Sequence, residues 1–151
     1  MRYWDASALV PVIVAEEGTA LARSWLEEDA AVVTWALTAV ELTSAIERRA
    51  RQRLLGIDGR RRALELVRQL AEGWDEVTDL LAVRRQALTY LARHNLRAAD
   101  ALQLAAAFLT SEGDPPSLGF TCLGSKKPQV DPDDVNSQLA ESEADDDEVP
   151  F

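Results

Sequence analysis

Cysteine and histidine are each present once in this 151-residue chain, as Cys122 and His94. A single cysteine excludes a disulfide scaffold and any zinc cluster built on thiolates. The simplest expectation is a buried thiol in a reducing cytoplasm. A single histidine excludes a His-rich metal site and argues against a Ser-His-Asp triad. Long apolar runs are missing too. The stretch Ala6 to Ala15 is interrupted by Pro11, preceded by Asp5 and followed by Glu16 and Glu17. It is too short to span a bilayer and lacks the pattern of a signal peptide, so a cytoplasmic protein without a membrane partner is expected.

Positive charge is also scarce, with 16 basic against 26 acidic residues and a net charge of -10. Taken whole, that balance opposes a polyphosphate partner. Its distribution removes the objection. Nine acids and no base lie between Gln129 and Phe151, which leaves 17 acids against all 16 bases in residues 1–128, a net of -1. From Glu47 to Arg68, eight arginines (48, 49, 51, 53, 60, 61, 62 and 68) face three acids, a local +5.

Apolar periodicity predicts alternating strands and helices. A first strand ends at Tyr3–Asp5, followed by a helix from Ala8 to Ala15 capped by Ser7, with Pro11 tolerated only in its first turn. A second helix covers Ala20 to Glu28, with Leu21, Trp25 and Leu26 inward. Strand two is the β-branched and aromatic run Ala31–Trp35. A long helix from Thr38 to Leu55 follows, its stripe Ala39, Leu42, Ile46, Ala50 and Leu54 ending at Gly56. Helices over about 59–72 and 79–94 flank a weaker strand at Trp74–Thr78; the second carries Leu80, Val83, Ala87 and Leu91 in register. A segment from Ala98 to Ser111, apolar nearly all round, reads as a buried helix. Gly113–Pro116 reads as a loop and Leu118–Leu123 as a fourth strand. Strand and helix alternation with long crossovers implies an α/β fold with a parallel sheet of about four strands, covered on both faces. Residues 1–124 form this domain. Residues 125–151 have the acidic, weakly hydrophobic composition of a disordered tail.

Three carboxylates fall where such a sheet binds ligands, beyond the carboxyl ends of its strands. Asp5 ends strand one, Glu41 lies in the first turns of the helix after strand two, and Asp100 opens the buried helix before strand four. Each has a plain structural alternative: Asp5 as a turn or cap, Glu41 as the partner of Thr38 in a capping box, Asp100 as a complement to the helix dipole. Asp100 is framed by Ala98, Ala99, Ala101 and Leu102, with Gln103 the one other polar residue on its face, so partial desolvation is expected there. Crowded, desolvated carboxylates repel one another, and a hard divalent cation with all-oxygen ligation, Mg2+ or Mn2+, relieves both problems.

Tyr3-Trp4-Asp5-Ala6-Ser7-Ala8-Leu9-Val10, Thr38-Ala39-Val40-Glu41-Leu42 and Arg97-Ala98-Ala99-Asp100-Ala101-Leu102-Gln103-Leu104-Ala105 resemble the three signature blocks of PIN-domain ribonucleases. More narrowly, the chain is similar to VapC-type toxins of bacterial toxin–antitoxin pairs over roughly residues 1–123. The resemblance implies a three-layer α/β/α fold and a magnesium-dependent endoribonuclease. It makes Asp5, Glu41 and Asp100 the metal-ligating and catalytic acids, with supporting hydroxyls from Ser7 or Thr38. It further implies a homodimer and a cognate antitoxin that masks the acids. Such toxins carry a fourth acid just after strand four. Here that position is Gly124, so weakened metal binding is expected, or replacement by a tail acid such as Asp131. The alternative is a degenerate domain that binds antitoxin or RNA without cutting. Arg48, Arg49, Arg51 and Arg53 are candidate RNA contacts, weighed against a plain solvated face with pairs such as Glu47–Arg51. Trp4, Trp25, Trp35 and Trp74 are expected in the core, and His94 near a helix C-terminus.

Overall fold

Alternation along the first strand decides how the layers are built. In the computed structural model, which describes residues 1–112 and 118–123, β1 (Arg2–Trp4) turns Tyr3 to one side of the sheet and Trp4 to the other. Both are fully buried. β2 (Val32–Trp35) repeats the pattern, with Val33 and Trp35 on the side of Tyr3 and Val32 on that of Trp4. Among the described residues, β3 (Asp75–Val77) and β4 (Gly119–Thr121) join them in a four-stranded sheet in the order β3-β2-β1-β4, every pairing parallel.

Among the described residues, six helices cover the sheet. On the Trp4 side lie α1 (Ala6–Ile13), α2 (Thr19–Glu28), α3 (Thr38–Arg51) and α4 (Ile57–Ala71). On the Tyr3 side lie α5 (Leu80–Arg93) and α6 (Ala98–Thr110), packed closely on each other. This is the expected α/β/α sandwich. The connections from β1 to β2 and β2 to β3 step one way along the sheet. The connection through α5 and α6 returns across it to β4 on the far edge. That reversal puts the switch point beside β1, where an open parallel sheet forms its ligand crevice. Among the described residues, no helix is long and apolar enough to cross a membrane.

Several local expectations are corrected. The N-cap of α1 is Asp5, not Ser7: its carboxylate accepts the Ser7 N–H at 2.7 Å, so the helix starts two residues early and Pro11 falls in its second turn. α3 ends at Arg51 rather than Leu55. Arg53 adopts a left-handed φ of 61°, Leu54 N–H reaches the Arg49 carbonyl at 2.9 Å and Arg53 N–H the Ala50 carbonyl at 3.0 Å. This is a Schellman closure with arginine where glycine is usual, so Gly56 serves as the N-cap of α4 instead. Leu54 is consequently outside, 72% exposed. Leu21, Leu80 and Leu91 also face outward, because Ala22 and Tyr90 take the inward positions on α2 and α5. Trp4, Trp35 and Trp74 are buried as expected, and Trp25 packs edge-on against Trp4 at 6.3 Å. Cys122 is half-buried rather than buried, and His94 forms the C-cap of α5. The proposed loop at 113–116, Gly124, Asp131 and the acidic tail lie outside the described residues.

Candidate active site

Each of the three carboxylates is placed by the start of a helix. Asp5 follows β1 directly and is held by its own capping bond to Ser7. Glu41 stands in the first turn of α3 and Asp100 in the first turn of α6. Together they line one open cleft of about 430 Å³, with Ala6, Val40, Ser44, Ala45, Arg48, Ala99 and Gln103. First-turn residues of three helices thus border the same space. Helix N-termini carry unpaired N–H groups and partial positive charge, which favours anions, phosphate included.

The helix that carries Glu41 is pinned to the sheet by a buried hydroxyl chain. Thr34 Oγ1 donates to the Trp4 carbonyl at 2.9 Å and lies 2.5 Å from Thr38 Oγ1. Thr34 has one proton, already given to Trp4, so Thr38 must be the donor to Thr34. Both threonines are fully buried. The capping box expected from Thr38 and Glu41 does not form: the N-cap of α3 is Leu37, and Glu41 turns to Gln103 instead. Of the two candidate supporting hydroxyls, Thr38 is therefore committed to the fold. Ser7 Oγ accepts the Leu123 N–H at 3.1 Å, tying the chain after β4 to the start of α1. Neither borders the cleft.

Burial falls on a different acid from the one expected. Asp100 is exposed, while Glu41 is half-buried. Burial raises the Glu41 pKa most; the Gln103 hydrogen bond opposes it, Asp5 raises it, the neighbouring Trp35 indole lowers it and Asp100 raises it. The Trp35 N–H nonetheless makes no hydrogen bond of ordinary geometry. Burial, then Asp5 and Glu41, also hold the Tyr3 hydroxyl far above its usual value, so it remains a proton donor.

Gln103 and Tyr3 escaped assignment from the sequence. Gln103 Nε2 donates to Glu41 Oε2 at 2.5 Å, and its Oε1 accepts from the Tyr3 hydroxyl at 2.7 Å. The available signal was one polar residue on an otherwise apolar helix face.

The arginines divide in two. Arg49 pairs with Glu16, Arg60 with Glu47 at 2.6 Å, Arg61 with Asp58 at 3.6 Å, and Arg68 with Glu65 and Glu72. The considered Glu47–Arg51 pair is replaced by Glu47–Arg60, which joins α3 to α4. Among the described residues, Arg48, Arg51, Arg53 and Arg62 enter no ion pair, and Arg48 borders the cleft.

The donor set suits a hard cation. Asp5, Glu41 and Asp100 supply oxygen only, they repel one another, and among the described residues none is ion-paired. As placed, no group of three Asp, Glu, His or Cys side chains among the described residues could by itself hold a metal ion. Magnesium does not require one, since it is usually bound through one or two carboxylates, waters and substrate phosphates. His94 and Cys122 do not border the cleft.

The PIN domain family model matches residues 2–112 of the chain. No curated protein gives a significant match.

Proposed function

The chain belongs to the PIN domain family, a nuclease-type fold, and on that premise we propose that it is a metal-dependent endoribonuclease acting as the toxin of a type II toxin–antitoxin pair. The observation that carries this reading is the meeting of Asp5, Glu41 and Asp100 in one cleft, where among the described residues none of the three is ion-paired.

In this reading Asp5, Glu41 and Asp100 would be the acids of a site for Mg2+, or Mn2+ in its place, with one or two of them ligating the ion alongside waters and substrate phosphate. Asp5 is kept in position by its bond to Ser7 and Glu41 by its bond to Gln103. A divalent cation bound there supplies Lewis-acid activation of the scissile phosphate and of the attacking water. The residues themselves do the rest. Helix N-termini and Arg48 draw the RNA backbone to the cleft wall, and Arg51 and Arg53 extend that path along the end of α3. Arg49, neutralised by Glu16, contributes less. No protein nucleophile is needed. An antitoxin segment would cover the cleft beside Val40, which is 62% exposed. A homodimer and a cytoplasmic site of action belong to the same proposal, as does the division into a domain over 1–124 and a tail over 125–151.

The test is incubation of purified, antitoxin-free protein with total RNA. Cleavage is expected with magnesium and should be abolished by EDTA and by Asp100→Ala. Cleavage that survives either treatment overturns the mechanism.

A further inference from the structure

The amide of Gln103 lies between two groups of unlike chemistry, and that fixes its orientation. An ionised carboxylate can only accept, so the NH2 end must face Glu41. The carbonyl end then faces Tyr3, whose hydroxyl must donate. A flipped amide would set its oxygen against the carboxylate. With Gln103 only 3% exposed and Tyr3 fully buried, little solvent is at hand to replace a lost bond. The chain of bonds links three elements: Tyr3 in β1, Gln103 in α6 and Glu41 in α3.

The three carboxylates differ in how they are held. Asp5 is fixed by the backbone that it caps, and Asp100 is exposed. Glu41 has a longer side chain with more rotamers to lose, and its firm tether is the 2.5 Å bond from Gln103 across to another helix. We propose, resting on the metal-dependent reading above, that Gln103 is a positioning residue. It holds the Glu41 carboxylate at the cleft wall in readiness for a divalent cation, and Tyr3 sets the direction of its amide. Removing such an outer partner from a ligand typically weakens metal binding by about 10–100-fold.

The experiment is titration of the RNA-free protein with Mn2+, followed by the paramagnetic resonance of the free ion, alongside urea unfolding. Gln103→Met should weaken Mn2+ binding about tenfold or more and also lower the urea midpoint, because the Tyr3 hydroxyl is left buried without an acceptor. Adding Tyr3→Phe removes that orphan and keeps the ring that stacks on Phe120 at 5.5 Å. The double variant should therefore regain much of the lost stability while Mn2+ binding stays weak. A purely structural role predicts that both return together, and that result overturns the proposal. So does unchanged affinity in Gln103→Met. If that single variant fails to fold, the double variant carries the same comparison with wild type. Failure of the wild type itself to bind Mn2+ overturns the metal reading and this inference with it; binding by wild type that the variants leave intact overturns this inference alone.

Discussion

Replacing Thr34 with valine should destabilise the domain more than replacing Thr34 and Thr38 together. In the folded protein Thr38 donates to Thr34, which donates to the Trp4 carbonyl, and all the side-chain atoms involved are out of reach of water. Thr38→Val removes one hydrogen bond and leaves the Thr34–Trp4 bond in place, a loss of about 1 kcal/mol. Thr34→Val removes both bonds and strands the Thr38 O–H with no acceptor. The lost bond to Trp4 contributes about 1 kcal/mol and the orphaned hydroxyl about 1–3 kcal/mol, together about 2–4 kcal/mol. In the double variant the orphan is gone, and the cost should fall back to about 1 kcal/mol. Urea unfolding of the metal-free protein reads this directly. With a slope of about 2 kcal/mol/M, the midpoint should drop by about 1–2 M in Thr34→Val and recover by half of that drop or more in the double variant. A double variant less stable than Thr34→Val by the Thr38→Val increment would mean independent sites, and would refute the assigned donor direction.

Two further outcomes follow from the same geometry. Glu41 has its pKa raised, chiefly by burial, so the folded state binds its proton more tightly than the unfolded chain does. Stability from this group is fully present below the ordinary glutamate value and is lost as pH rises through the raised one. In EDTA, Glu41→Gln should therefore be more stable than wild type at neutral pH, with the gap closing under acid; a gap that persists or widens under acid would contradict the sign. Gly18 has a φ of +92°, and a Cβ there would meet Leu123 Cδ1 at 3.0 Å. Gly18→Ala should cost about 1 kcal/mol or more through backbone strain, and Leu123→Ala should not restore it; a neutral thermal melt would refute the strain.

Much of the fold was legible locally. β-branched runs marked the strands, helical spacing marked the six helices, and crossover lengths required a parallel sheet. Helix ends were less legible. The Schellman closure at Arg53 defeated the rule that Gly56 should stop α3, because arginine takes the left-handed φ usually left to glycine and the local bonds to Ala50 and Arg49 close the helix three residues before Gly56. Asp5 outcompeted Ser7 as a cap because its carboxylate, already at the strand end, reaches the Ser7 N–H.

The three acids could be placed near helix starts from sequence alone, since a residue's position within a helix depends on its near neighbours. Which of them would be buried could not. The apolar frame of Asp100 pointed to that residue, yet the structure exposes Asp100 and half-buries Glu41. Periodicity reports that a face is covered, but not by what. The strand order, the reversal that opens a crevice beside β1, and the contact of Gln103 with a carboxylate 62 residues away all depend on how the layers close on one another. By itself the sequence determined the elements and the candidate acids. Only the tertiary structure brought those acids to one cleft and supplied the side chains that hold them, because both depend on contacts between residues far apart in the chain.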